Sequence, residues 1–299
     1  MSDFILSICI PTFNRGNLLQ TTLESIVCQD IFKYTPDIEI VISDNNSDDN
    51  TPLIAAHFSN LFPEKILYHR NEYNIGADKN FEMALSKGSG LFLKLHNDDL
   101  LFRHGSLQET IKLIVATKKE KPIIFFTNGN RDSGKQIEVC KDLNEFISCV
   151  SFFSTWIGGF GIWRTDFHEI EDFSKNAESR LIQADILFGL MASGRRAIVV
   201  TEHFFNRTSR NLNRGYNIAE VFGHNYLKLL KPYLALGVLS ENIFQTEKRE
   251  VLVKQVLPLY FDKKNDFAKT GFFVHMKDYW EEAYFQEIME GMIFNAMPN

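Results

Sequence analysis

Three short polar clusters in the first hundred residues carry side chains suited to chemistry, and each follows an apolar run. Pro11-Thr12-Phe13-Asn14-Arg15 ends the first run. A turn there, leading into a helix, exposes backbone N–H groups to an anion, although an ordinary strand-to-helix turn accounts for it equally well. Asp44 opens the polar run Ser43-Asp44-Asn45-Asn46-Ser47-Asp48-Asp49-Asn50. Its carboxylate can accept hydrogen bonds from a ribose or a base; the run also reads as a solvated loop in which Asp49 or Asn50 caps a helix. Asn97-Asp98-Asp99, preceded by His96, presents the oxygen ligands that Mg²⁺ or Mn²⁺ prefer when they bridge substrate phosphates. Two adjacent acids are also common on surfaces.

The elements that must hold these clusters are short strands alternating with amphipathic helices, the pattern of successive βα units and a mostly parallel sheet. Residues 6–10, 38–42, 66–69 and 91–95 read as strands, the first with Pro11 as its stop. Leu18, Leu19, Leu23, Ile26 and Val27 recur at helical spacing. Pro52 suits the first turn of a second helix, and 77–87 forms a third. The clusters then lie at the C-terminal ends of consecutive strands, the edge where ligands bind in open α/β sheets. Further strands are expected at 123–127 and 197–201, with a helix around 181–193. Beyond about Arg214 the periodicity is helical only. The division expected is an α/β domain over 1–214 and a helical region over 215–299.

The 299 residues suit one large α/β domain with an appendage. A net charge of −6 gives no basic footprint, so no nucleic-acid partner is expected. Four scattered cysteines without a C-x-x-C read as reduced thiols of a cytoplasmic protein. No apolar run is long enough to span a membrane, and the N-terminus lacks the pattern of a signal peptide. The 27 phenylalanines leave peripheral contact with the inner face of the cell membrane, and homo-oligomerisation, open.

Taken in order, Ser7 to Arg15, Val41 to Asp49, Asn74-Ile75-Gly76-Ala77-Asp78-Lys79-Asn80 and Asn97 to Asp99 resemble glycosyltransferase family 2 with the GT-A fold. The resemblance covers roughly residues 4–210 and is strongest toward the abequosyltransferase-like enzymes of bacterial surface polysaccharide assembly. It implies a Rossmann-like, mostly parallel central sheet with a C-terminal helical extension. It further implies a metal-dependent, inverting transfer from a nucleotide-diphosphate sugar to a glycan or lipid-linked glycan. Pro11, Thr12, Asn14, Asp44, Asn46, Asp78, Lys79, Asn97 and Asp98 would bind the donor. Asp99, with His203, would hold Mn²⁺ or Mg²⁺, and Arg207 and Arg210 would close over the phosphates. Trp156, Gly158 and Gly159 would meet the acceptor, the glycines permitting close backbone approach; alternatively they make turns around a core tryptophan. An acceptor hydroxyl must lose its proton as it attacks, and Asp185 stands where the family places its catalytic base. A helix N-terminal aspartate favoured by the macrodipole explains Asp185 as well. Asn97 stands where the family's D-x-D motif often has its first aspartate, and Lys79 replaces a commoner arginine, losing the bidentate fork. Two other functions stay open: a nucleotide-sugar-binding protein without transferase activity, suggested by Asn97, and a nucleotidyltransferase, for which Thr12 to Gly16 is a poor loop.

Overall fold

The structure is a computed structural model, and it describes residues 4–131, 134–208 and 215–296. In chain order the elements are β1 (Leu6–Thr12), α1 (Gly16–Val27), α2 (Asp30–Tyr34), β2 (Ile38–Asp44), α3 (Thr51–Leu61), β3 (Ile66–Arg70), α4 (Ala77–Ser86), β4 (Phe92–Leu95), β5 (Leu100–Phe102) and α5 (Ser106–Thr117). There follow β6 (Ile123–Phe126), β7 (Ile137–Cys140), α6 (Leu143–Val150), β8 (Gly161–Trp163), α7 (Arg164–Glu169), α8 (Ile182–Ala192), β9 (Ala197–Val200) and β10 (Phe205–Arg207). The rest is helical: α9 (Tyr226–Ala235), α10 (Glu241–Glu250), α11 (Leu257–Phe261), α12 (Phe272–His275) and α13 (Ala283–Ala296).

The central sheet has the order β3-β2-β1-β4-β8, parallel except for β8. Every residue of β1 and β2 is buried, as expected of strands covered on both faces. Pro11 does not stop β1, which runs on to Thr12. Pairing of β1 with β4 ends at Cys9 opposite Leu95, and Pro11 lies opposite Ser43 of β2, so the missing N–H falls beyond the β4 ladder. From β1 the chain winds outward through β2 and β3 and then returns to place β4 on β1's other side. The switch point therefore lies between the C-terminal ends of β1 and β4, and it brings Thr12 to Asn97-Asp98-Asp99.

Alternation along the strands divides the core. Leu6, Ile8 and Ile10 of β1 face α1, α3 and α5, while Cys9, Val41, Leu93 and Leu95 face the other way. That second face continues without a break through Phe146 of α6 and Phe188 of α8 into Tyr226, Leu230, Val251 and Leu252 of the helical region. A second sheet, β6-β9-β7, flanks this core, and β5 pairs antiparallel with β10. The β5–β10 pairing carries Arg207 and Thr208 to Asp99, whose carbonyl accepts from the Thr208 N–H at 3.1 Å. The expected boundary residue Arg214, together with Arg210, lies outside the described residues.

Candidate functional site at the sheet switch point

A cavity of about 1340 Å³ opens at the switch point. Pro11, Thr12, Asn45, Asp78, Asn97 and Asp98 line one side; Trp156, Arg180 and Gln183 line another; Tyr216, Gln255, Asp262 and Phe267 of the helical region complete it.

The strand-tip side is tightly hydrogen-bonded. Asp98 accepts from the Thr12 hydroxyl at 2.8 Å and pairs with the Arg15 guanidinium at 2.6 Å. Burial nevertheless pushes its carboxyl above the ordinary range, against the pull of Arg15 and Thr12. Asp44 is fully buried, accepting from the Ser47 N–H at 2.9 Å and the Tyr68 hydroxyl at 3.0 Å, with Arg70 at 3.8 Å. It orders the loop that follows β2 and does not line the cavity. Asn45, which does, holds Asn74 and the Ile75 N–H at 2.8 and 2.9 Å and so positions the start of α4. Asp49 takes the capping role, accepting from the N–H groups of Thr51 and Gly16.

Asp99 differs from its neighbour. It is fully buried, its two carboxylate oxygens have no hydrogen-bond partner, and Arg207 approaches only to 3.9 Å. A buried carboxylate with no hydrogen bond and a single ion pair as long as this one is costly unless something further binds it. The two Asp99 oxygens are the donor type that a hard divalent cation takes, and Asp99 would hold such a cation jointly with substrate phosphates. Among the described residues no three His, Cys, Asp or Glu side chains gather as a ready-made cage. His203 is exposed, and its ring covers Gly129, where a Cβ would fall 2.2 Å from it. It does not line the cavity.

Other orphaned polar atoms belong to the cavity lining itself. Asp78 Oδ1, Asn97 Oδ1, Trp156 Nε1 and Gln183 Oε1 are buried, without partners in the protein, and belong to residues that line the cavity. Burial pushes the Asp78 carboxyl up to about 6, despite the Ile182 N–H and Arg180. Gly158 is required where it stands, because a Cβ there would meet Asn97 Oδ1 at 2.7 Å and the Trp156 indole at 2.6 Å. Gly159 likewise lies against the Phe126 carbonyl. Beneath this loop the fully buried Lys94 donates to the Gly158 carbonyl at 2.6 Å, between the Phe126 and Phe205 rings. Burial pushes its ammonium down to about 7.

The structure thus gathers Pro11, Thr12, Asp78, Asn97, Asp98 and Trp156 around the cavity, with Asp99 behind them. Asn14, Asn46 and Lys79 do not line it, and Asn14 instead accepts from the Asp48 N–H at 2.9 Å. Asp185 also stands back from the lining. It accepts from Asn176 at 2.8 Å, and burial raises its carboxyl above the ordinary range. Arg180 and Gln183, on the same stretch, were not singled out from the sequence; Gln183 had a signal, two residues before Asp185. Lys94, Asn128 and the helical-region lining gave none, because a lysine in a strand or an aromatic in a helix acquires its place only through long-range packing.

Comparison with known proteins agrees with this geometry. The family described as Glycosyl transferase family 2 matches residues 7–199. Abequosyltransferase RfbV of Salmonella typhimurium is 39% identical over 95 residues, which is 32% of this chain and 28% of that protein. A Campylobacter jejuni GalNAc(5)-diNAcBac-PP-undecaprenol beta-1,3-glucosyltransferase is 37% identical over 103 residues, 34% of this chain and 32% of that protein. The matches span about a third of the length of these relatives. Residues 1–349 of S. aureus TarS superpose with a TM-score of 0.58 at 16% identity, over 87% of this chain and 76% of that one. The same protein in complex with UDP-GlcNAc superposes at 0.57, with 17% identity, over 83% and 72%. The architecture is the GT-A fold expected from the strand-tip motifs. With most of its sheet and strand-tip site inside the matched stretch, the chain belongs to glycosyl transferase family 2.

Proposed function

We propose that the cavity binds a nucleotide-diphosphate sugar on its strand-tip side and transfers the sugar to a hydroxyl of a glycan or lipid-linked glycan held on its helical side. The observation that carries this reading is the convergence of partnerless polar groups from Asp78, Asn97, Trp156 and Gln183 on one cavity, with Asp99 behind it. Thr12, Asp98 and Arg15 form the floor under the donor, Asn97 and Trp156 orient the bound sugars, and Asp99 holds Mn²⁺ or Mg²⁺. That cation would offset the charge developing on the leaving diphosphate. The acceptor oxygen attacks the anomeric carbon from the face opposite the diphosphate, the bond to the diphosphate breaks, and the configuration inverts. A carboxylate takes the acceptor proton. A 1–214 catalytic part and a 215–299 acceptor-side part divide the labour. The names of the relatives support bacterial surface polysaccharide as the setting. Exposed Phe273, Val274 and Trp280 on the helical region support a resting place at the membrane surface.

Asp185 is the proposed base, on its position in the family's pattern. Asp78 is the specific competitor, because it lines the cavity, has an orphaned oxygen and stays protonated to about 6. Donor affinity and transfer measured on Asp185→Asn and Asp78→Asn separate them. The base variant loses transfer on the order of 10²-fold and keeps donor affinity. If neither variant shows that split, or if the protein binds donors without ever turning them over, the transferase reading fails; release of pyrophosphate would indicate nucleotidyl transfer instead.

A further inference from the structure

The four cysteines are all free thiols, in three different surroundings. Cys9 is fully buried in β1, and Cys28 is exposed just after α1. Cys140 ends β7 and Cys149 lies in the last turn of α6, two elements that pack against each other. Both line a second cavity of about 760 Å³. Cys140 is buried at its base and Cys149 is half-buried, so solvent reaches the second sulfur first. Arg131 is fixed beside them, donating Nε to the Cys149 carbonyl at 3.0 Å and Nη2 to the Ser148 carbonyl at 2.9 Å. The neighbouring Cys140 thiol holds the Cys149 thiol below its ordinary value, helped by Arg131 and Lys135. Cys140 is raised by its Cys149 neighbour and by burial. A half-buried thiol that shares one cavity with a second, buried thiol, beside a fixed guanidinium, is the arrangement in which a mixed disulfide is resolved inside the chain.

We propose that Cys149 and Cys140 form a redox-modification site that reacts with low-molecular-weight disulfides, such as oxidised glutathione, and closes to an intrachain disulfide. The Cys149 thiolate attacks one sulfur of the glutathione disulfide, forming a mixed disulfide and expelling one glutathione thiolate. Cys140, giving up its proton to solvent, attacks the Cys149 sulfur and expels the second. The two cysteines lose two protons and two electrons, and the glutathione disulfide is reduced to two thiols. The new bond ties β7 to α6 beside the turn that follows β6, whose Asn128 and Asn130 line the large cavity.

The test uses the full chain, reduced and then exposed to oxidised glutathione, quenched in acid, alkylated and mapped by mass spectrometry. Cys28, exposed and without a nearby thiol, reports that the reagent acted by retaining a glutathione adduct. Wild-type protein is expected to lose two hydrogens in the peptide joining Cys140 to Cys149, reversibly with dithiothreitol. Cys140→Ser is expected to keep a stable adduct at Cys149, and Cys149→Ser to leave Cys140 unmodified. A persistent adduct at Cys149 in the wild type, or free thiols at both positions once Cys28 has reacted, overturns the proposal.

Discussion

The two sides of the large cavity are built differently, and the difference separates residues that hold the fold from residues that await a ligand. At the strand tips, Asp98 in the cavity lining and Asp44 outside it are saturated: each carboxylate has two or more partners within the protein. Asp99, next in the chain to Asp98 and also buried, has no hydrogen-bond partner on either oxygen and only the Arg207 guanidinium at 3.9 Å. Asp78 and Asn97 on the same side, and Trp156 and Gln183 across the cavity, likewise carry unpaired polar atoms. A helical region joined to the sheet through one continuous core then closes the far wall. Adjacent residues of one type can thus serve opposite ends, and hydrogen-bond accounting tells them apart where motif matching does not.

The largest effect expected concerns the helical wall. Phe188 of α8 meets the Tyr226 ring at 6.0 Å, and Glu247 of α10 accepts from Ser151 at 3.0 Å and from Tyr226 at 2.9 Å. A chain ending at residue 214 would expose that apolar face, and we expect it to be insoluble or unfolded by circular dichroism. A soluble, cooperatively melting chain would instead make 1–214 an autonomous domain and the comparison one between domains.

Next comes the pair at the tip of β4. Asp99→Asn is expected to lower metal-dependent donor turnover on the order of 10²-fold or more while leaving thermal stability unchanged or higher, because it removes a buried carboxylate whose oxygens lack hydrogen-bond partners. Asp98→Ala strands Thr12 and Arg15 and should destabilise the fold by about 2 kcal/mol. Melting and turnover on the two variants check both, and a destabilised Asp99→Asn with normal turnover would erase the distinction.

A smaller effect, spread over pH, tests how the helical wall is held. Burial keeps the Glu247 carboxyl protonated up to about 7, above its ordinary 4.5. Its stabilising contribution is therefore full below about 4.5 and is lost as pH rises through about 7, amounting to about 3 kcal/mol by pH 8. Lys94 slopes the other way, because its lowered value favours the fold as pH rises above about 7. The useful quantity is the difference between wild type and Glu247→Gln: the two should melt alike at pH 4.5, and the variant should melt higher at pH 8. Parallel curves would mean that the protonated Glu247 carboxyl does not hold the helical wall.

Much of the strand-tip side was legible in the sequence, because it depends on local signals. Apolar runs ending in Thr12, Asp44 and Asn97-Asp98-Asp99 fix which polar groups share one sheet edge. What distinguishes Asp99 from Asp98 was not legible, since it depends on Arg15 and Thr12 reaching one carboxylate and not the other. The helical region's part in the cavity was hidden for a similar reason: amphipathic periodicity gives a buried face but not its partner. Pro11 misled as a stop because a β1 that extends past β4 has no need of its N–H.

The central claim is that partnerless groups at the switch point receive a metal-bound nucleotide sugar. The most direct test is nucleoside diphosphate release by the wild-type protein across a panel of UDP-, GDP-, CDP- and dTDP-sugars, each with Mn²⁺, with Mg²⁺ and with a chelator. The account predicts slow release from a preferred donor, dependent on the divalent cation and abolished by the chelator. Release that survives chelation unchanged, or no release and no binding for any donor, would contradict it.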